Sequence, residues 1–288
     1  MGTTSYAGAD ERAIRHHYDV DDDFYALWLD PTMTYSCALW DGDEDELEAA
    51  QARKLDYLIT GARAPGAKRV LDIGCGWGSG LRRLVERHDV ARAVGLTLSE
   101  SQARAVAACG DDRIEVRVEN WADHEPVEPY DAIVSAGAFE HFARFGISRS
   151  DKIDAYRRFF IACRRMLVPG GRLALQSICK GDGQLDRDSI RDLRFILTEI
   201  FPRSDAPWVT EIAAGCERAF EIESLRNDRL HYARTVREWG RRLGARRADA
   251  VRLVGEDVTA RYERYLAISE SLFERSQAGL LRIVMRRV

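Results

Sequence analysis

Short apolar runs alternate with amphipathic stretches through the middle of this chain. Residues 69–73, 91–96, 113–118, 130–136 and 172–178 have strand length and are rich in Val, Ile, Leu and Ala. Helical patterns lie between them at about 80–87, 99–109 and 152–167. Such alternation predicts an α/β fold, a mostly parallel sheet with helices on both faces and ligands at the carboxyl ends of the strands. Pro169-Gly170-Gly171 marks a helix stop and a turn into a strand. From Cys179 to about Asn227 the alternation fails: an apolar run at 195–201 is broken by Pro202 and Pro207, which reads as a lid insertion over an acceptor site. Two further helices near 235–243 and 248–276 precede a last strand at 280–284. The N-terminal segment carries Tyr18, Phe24, Tyr25, Leu27, Trp28 and Leu29, enough apolar surface to cover something apolar. The expected organisation is therefore a helical cap over residues 1–60 and a core over 61–288, with 179–227 as the lid. No internal repeat is visible.

The most informative stretch is Val70 to Gly78, Val-Leu-Asp-Ile-Gly-Cys-Gly-Trp-Gly. A buried strand ends in a glycine loop, which lets the backbone turn sharply and approach a ligand, and a helix starting near Ser79 aims its amide groups at the same place. A dinucleotide fingerprint needs G-x-G-x-x-G and an acid about twenty residues on for the ribose. Here the third glycine comes one residue early, Ser79 stands where the motif wants glycine, and the next strand runs into Gly95-Leu96-Thr97-Leu98-Ser99. The loop therefore points to S-adenosylmethionine and away from a nicotinamide cofactor.

Bulk properties narrow the class. At 288 residues and 45% apolar content the chain has ample material for a large core, and a net charge of −4 gives no field that would draw it to nucleic acid. No apolar stretch approaches the roughly 20 residues that cross a bilayer, and the N-terminus lacks a signal-peptide core, so a cytoplasmic protein without integral membrane association is expected. The six cysteines show no C-x-x-C pair, which predicts free thiols, and the histidines have no metal-ligand spacing, so no metal is assigned. Arg226, Arg229, Arg234, Arg237, Arg241, Arg242, Arg246 and Arg247 read first as a solvated helix face and second as a seat for a carrier protein or a diphosphate.

Motifs along almost the whole chain resemble the cyclopropane fatty acid synthase and mycolic acid cyclopropane synthase family. They include His17-Tyr18-Asp19-Val20, Phe24-Tyr25, the run Asp30 to Ala38, Gln51 with Lys54-Leu55, the glycine loop, Gly95 to Ser99 with Gln102, Phe139-Glu140-His141-Phe142, and His231 to Thr235 with Trp239. The resemblance implies a Rossmann-like class I methyltransferase sheet with an N-terminal helical extension and a lid. It places Tyr35 and Ser36 at the donor's amino-acid end with Asp72, Gly74 and Gly76 beneath. Thr97, Leu98 and Gln102 then lie near the ribose, Trp121 by the adenine, and Ala136 on the adjoining strand end. Ser99-x-x-Gln102 is also a helix capping box, and Trp121 could equally be a core aromatic.

In the resembling synthases, residues matching Cys37, Glu140, Ile178 and Tyr232 surround a bicarbonate that acts as the base, and a histidine completes the ring. That position is Gln176 here, which can donate a hydrogen bond but cannot become cationic. The expected cofactor is S-adenosylmethionine, with bicarbonate as a second candidate ligand. An alkene taking the methyl group becomes a carbocation, which Tyr18, Trp28, Tyr35, Phe139 or Tyr232 could stabilise through their ring faces. Glu140, directly or through an anion, would take the proton. Because of Gln176, the expected reaction is C-methylation of a prenyl-like or other specialised metabolite, free or carrier-linked. Cyclopropanation of an unsaturated fatty acyl chain and N- or O-methylation of a small molecule are the alternatives, and a homo-oligomer is left open.

Overall fold

The structure, a computed structural model, describes residues 20–202 and 204–288. His17, Tyr18 and Asp19 of the N-terminal motif lie outside the described residues. Strands β1 (Arg69–Ile73), β2 (Arg92–Thr97), β3 (Ile114–Val118), β4 (Tyr130–Ala136), β5 (Leu167–Lys180), β6 (Phe220–Asn227) and β7 (Ala278–Arg287) form one seven-stranded sheet in the order β3-β2-β1-β4-β5-β7-β6. β1 to β5 pair in parallel, whereas β7 runs antiparallel to both β5 and β6. The strand order reverses between β1 and β4, which opens a crevice at their carboxyl ends.

The period of two along each strand sorts the core into two faces. Leu71 and Ile73 of β1 and Leu173 and Leu175 of β5 pack with Tyr156, Phe159 and Phe160 of the helix Arg149–Met166. Val70 and Ala174 point the other way, against Leu55, Leu58 and Ile59 of the helix Leu47–Gly61 and Leu81, Leu84 and Val85 of the helix Ser79–Arg87. The helix Leu47–Gly61, which falls within the expected cap, thus lies with its apolar face on the sheet.

A further cluster unites the two ends of the chain. Phe24, Tyr25 and Trp28, all fully buried, pack with Trp239 of the helix Arg229–Ala245 and Tyr262 and Tyr265 of the helix Glu256–Glu274. The short helix Asp22–Ala26 is pinned to the glycine loop, because Trp77 Nε1 donates to Asp22 Oδ1 at 3.0 Å and Ser101 Oγ to Asp22 Oδ2 at 2.5 Å.

Two local expectations change. The lid range 179–227 ends in β6, a strand at the sheet edge. Its residues after Phe220 are mostly exposed, with Glu221, Glu223 and Arg226 charged, which hides strand periodicity and also suits an edge that must not pair with another chain. The remaining insertion holds helices Arg187–Phe195 and Val209–Cys216, with a wide turn at Ile196–Ile200 between them. The single helix expected at 248–276 is two, Arg247–Val254 and Glu256–Glu274, parted at Gly255 with φ +82°. Among the described residues no helix is long and apolar enough to cross a membrane.

Candidate active site

The crevice at the strand ends contains a cavity floored by the glycine loop. Gly74 has φ +81°, and a Cβ there would fall 2.6 Å from the Ala138 Cβ. Gly76 has φ +54° and faces open space, so its backbone is bare toward the cavity. Tyr35, Ser36, Asp72, Gly74, Gly76, Thr97, Leu98, Gln102, Trp121 and Ala136 all line it. Every residue expected at the cofactor thus borders this one cavity. The sequence reading had missed Lys54, Glu119, Asn120, Gly137 and His141, which border it too. Lys54 stood in a quoted motif, and its position one turn along a helix from Gln51, itself bonded to Thr34 and Ser36, was the available signal.

Lys54, buried, donates to Ser36 Oγ at 2.7 Å. Burial, reinforced by the Arg282 cation, pushes its pKa down to about 8. Asp72 lies on the same face of β1 and is raised to about 7 by burial, against the opposing pull of Lys54. Ser99 caps its helix by accepting from the Gln102 backbone N–H at 3.3 Å. The Gln102 side-chain oxygen is taken by the Thr97 hydroxyl at 2.7 Å, so the reciprocal half of the capping box is replaced by a contact within the cavity wall. Trp121 borders the cavity and also packs on Phe142 and Phe159, with ring centroids 5.2 Å apart in each pair.

A second chamber, about 1510 Å³ including its open mouth, adjoins the first. Tyr35, Gly137 and His141 border both, and so form the junction. The chamber wall is mainly apolar: Ile178, Leu193, Ile196, Leu197, Phe201, Tyr232, Val236, Tyr265, Leu272 and Phe273. Insertion residues, β5 and both C-terminal helices contribute to it.

Glu140 sits at the junction end, in the turn Phe139–His141 that follows β4. Its Oε2 accepts from Ser177 Oγ at 3.0 Å. Burial lifts its pKa to about 7, against hydrogen bonds from its own backbone, Ser177 and the Ile178 backbone. A carboxyl group so tuned can accept a proton near neutral pH. Tyr232 stacks on Phe273 at 4.5 Å. His141 donates to or accepts from Ser204 Oγ at 2.6 Å, and burial lowers its pKa to about 4, so it is neutral.

Glu140, Ile178 and Tyr232 are thus brought together, but Cys37 and Gln176 are not among the residues bordering the chamber. Gln176 shares its face of β5 with Ile178, which does border the chamber, but its Oε1 is taken by Arg282 Nε at 2.8 Å, while Ser177 on the other face donates to Glu140. Arg282, fully buried on β7 directly across from Gln176, also ion-pairs with Asp228 and donates to the carbonyls of Cys37 and Ala38 at 3.3 and 2.9 Å. The Cys37 thiol is raised to about 12 by burial and stays protonated. Arg282 and Ser177 had no motif to announce them.

The aromatic expectation is corrected likewise. Tyr35 and Tyr232 face the chamber, Trp28 and Phe139 are wholly buried in core clusters, and Tyr18 lies outside the described residues. The arginine group is engaged in the structure: Arg226 meets Asp228, Arg237 meets Glu270 and Glu274, Arg241 meets Glu238, Arg242 meets Glu48, Arg246 meets Asp249, and Arg247 meets Glu256 and Glu263. Arg229 and Arg234 donate to backbone carbonyls. These side chains hold the helical layer together, which favours their structural reading over a carrier or diphosphate seat.

The sequence matches the protein family described as mycolic acid cyclopropane synthetase over residues 7–283. It is 36% identical over 274 residues to cyclopropane mycolic acid synthase 3 of Mycobacterium tuberculosis, spanning 90% of this chain and 91% of that protein. Hydroxymycolate synthase MmaA4 of Mycobacterium tuberculosis is also 36% identical over 274 residues, spanning 90% and 87%. The solved structure of the cyclopropane synthase MmaA2 from Mycobacterium tuberculosis superposes with a TM-score of 0.88 at 32% identity, covering 97% of this chain and 99% of that one. Mycolic acid cyclopropane synthase CmaA1, complexed with SAH and CTAB, gives 0.85 at 32% identity over 97% and 99%.

Proposed function

Since this chain belongs to the mycolic acid cyclopropane synthase family of S-adenosylmethionine-dependent methyltransferases, we propose that it acts on a double bond of an unsaturated acyl lipid chain and closes a cyclopropane there. The observation that carries this reading is the long apolar chamber meeting the glycine-floored cavity at Tyr35, Gly137 and His141, with Glu140 beside the meeting point.

The first cavity suits the donor by its chemistry. Lys54, Ser36 and Asp72 offer charge and hydrogen bonds to an amino-acid group, and the bare backbone at Gly76 leaves room for it. Thr97, Gln102 and Glu119 offer polar atoms to a ribose, and Trp121 offers a flat face to adenine. When bound, S-adenosylmethionine supplies an electrophilic methyl group. The chain's own work is to align the double bond at the junction and keep water from it. Tyr35 and Tyr232 present ring faces to positive charge developing on the lipid chain. Glu140 then removes the proton whose loss closes the ring.

The base role goes to Glu140 itself, which borders the chamber, whereas the Gln176 side-chain oxygen is held by Arg282 and the Cys37 thiol is kept protonated by burial. The prenyl-like expectation rests on Gln176 alone, whose side-chain oxygen Arg282 holds. The names of the relatives support an acyl lipid instead. Whether the acceptor arrives free or carrier-linked follows from the same experiment: isotopically labelled donor is supplied with unsaturated acyl chains in free, phospholipid and carrier-bound form, and the product is solved by NMR. High-field cyclopropyl protons are expected. A branched methyl alkene would replace ring closure by C-methylation, and label on nitrogen or oxygen would refute alkene chemistry.

A further inference from the structure

The acceptor chamber is mainly apolar, and apart from Glu140 its charged residues stand at one place. Lys180, the last residue of β5, reaches its wall beside Asp205 and Trp208. The Lys180 ammonium lies 2.7 Å from Asp205 Oδ1 and 6.0 Å from the centre of the Trp208 ring. Lys152, from the helix Arg149–Met166, takes the other oxygen of Asp205 from behind. The remaining carboxylate nearby, Glu211, accepts from the Trp208 backbone N–H at 2.9 Å and faces Arg149 at 3.8 Å. Both carboxylates are therefore shared out: Lys152, Lys180 and Arg149 stand against Asp205 and Glu211, which leaves one positive charge in excess. Lys180 is the chamber-facing member of the cations, with three N–H donors of which Asp205 occupies one direction.

We propose that Lys180, backed by the Lys152 and Asp205 pair and flanked by Trp208, seats an anionic end group of the acceptor. This rests on the acyl-lipid reading above and deepens it: the substrate is an amphiphile whose charged head lies at Lys180 and whose double bond lies at Glu140. Ile178 and Lys180 share one face of β5 and both border the chamber, an advance of about 7 Å at the strand rise of roughly 3.3 Å per residue, and Glu140 is bonded to the neighbouring Ser177. A head group held there sets which carbon of the chain comes to the junction. The chemistry of the seat, one excess ammonium beside an aromatic ring, accepts a carboxylate or a phosphate, and rejects a neutral head by leaving the ammonium facing apolar surface.

The test measures binding of a medium-chain cis-alkenoic acid, its methyl ester and the matching alkenyl phosphate to the full chain with S-adenosylhomocysteine present. The acid or the phosphate is expected to bind at least about tenfold more tightly than the ester, the range of a charge-assisted hydrogen bond. Lys180→Met should abolish that preference and Lys180→Arg should keep it. Because the preference is a ratio within one protein, a general loosening of the chamber cancels out. A preference unchanged in Lys180→Met, or absent from the unaltered protein, overturns the proposal. The tighter of acid and phosphate identifies the head group. Transfer of labelled methyl is scored separately: binding with the expected preference but no labelling of any of the three ligands overturns the functional reading and leaves the head-group seat standing.

Discussion

The cofactor cavity and the acceptor chamber share a wall yet are built on different plans. Much of the first comes from short contiguous segments at the ends of β1, β2, β3 and β4, where a strand, a glycine turn and a helix start follow one another in the chain. The second is assembled from β5, the turn after β4, the insertion and the helices Arg229–Ala245 and Glu256–Glu274, segments far apart in the chain. A contiguous segment carries its own geometry in backbone conformation. A dispersed wall depends on register and packing, so a shift of one residue on a strand changes which side chain faces inward. Gln176 and Ser177 illustrate this: neighbours in sequence, they serve opposite faces of the sheet.

Substitutions can break that comparison, beginning with the largest effect. Glu140→Gln should lower kcat by about 10²–10⁴-fold, the usual worth of a general base, while S-adenosylhomocysteine affinity by calorimetry stays within about twofold. In the unaltered protein kcat/KM should climb about tenfold per pH unit and level off near 7, where the carboxyl ionises. Stability should move the opposite way. Folding raises the Glu140 pKa from 4.5 to about 7, so the folded state holds the extra proton between those values, and stability falls as pH rises through that window. Glu140→Gln should flatten this fall in denaturant titrations; an equal slope in both proteins would remove Glu140 from the account.

Next comes the scaffold behind the chamber. Arg282→Met leaves the buried Asp228 with only the half-exposed Arg226 as its cation and takes the Arg282 donors from the Cys37 and Ala38 carbonyls, and should cost about 3 kcal/mol in urea unfolding. In the cofactor half, Gly76→Val forces a side chain into φ +54° and into the open cradle. It should weaken S-adenosylhomocysteine binding by roughly 10–100-fold, from about 1–3 kcal/mol of backbone strain alone, while Lys180-dependent ligand preference persists. The smallest effect is reserved for Cys37→Ala. Removing a buried thiol that is held protonated should change kcat by less than about threefold, and a large loss would restore Cys37 to the chemistry.

Much of the scaffold was legible in the chain itself. The glycine loop, the parallel core strands and the apolar N-terminal segment follow from local pattern. Missed were β6, whose exposed charged residues conceal its period, and the break at Gly255, a lone glycine in a helical stretch. Trp28 and Phe139 were equally legible as aromatic, but nothing local separates a ring that faces a chamber from one that fills a core.

By itself the sequence determined the cofactor side, because a positive-φ glycine turn between a buried strand and a helix is a property of consecutive residues. Only the tertiary structure decided the acceptor side. There the pleat of β5 set Ser177 against Glu140 and turned Gln176 toward Arg282, residues far apart in the chain. The folding of the insertion over the chamber likewise brought Asp205 to Lys180. Charge, burial and reach at these positions arise from contacts across the sheet and the lid, which no local pattern of residues encodes.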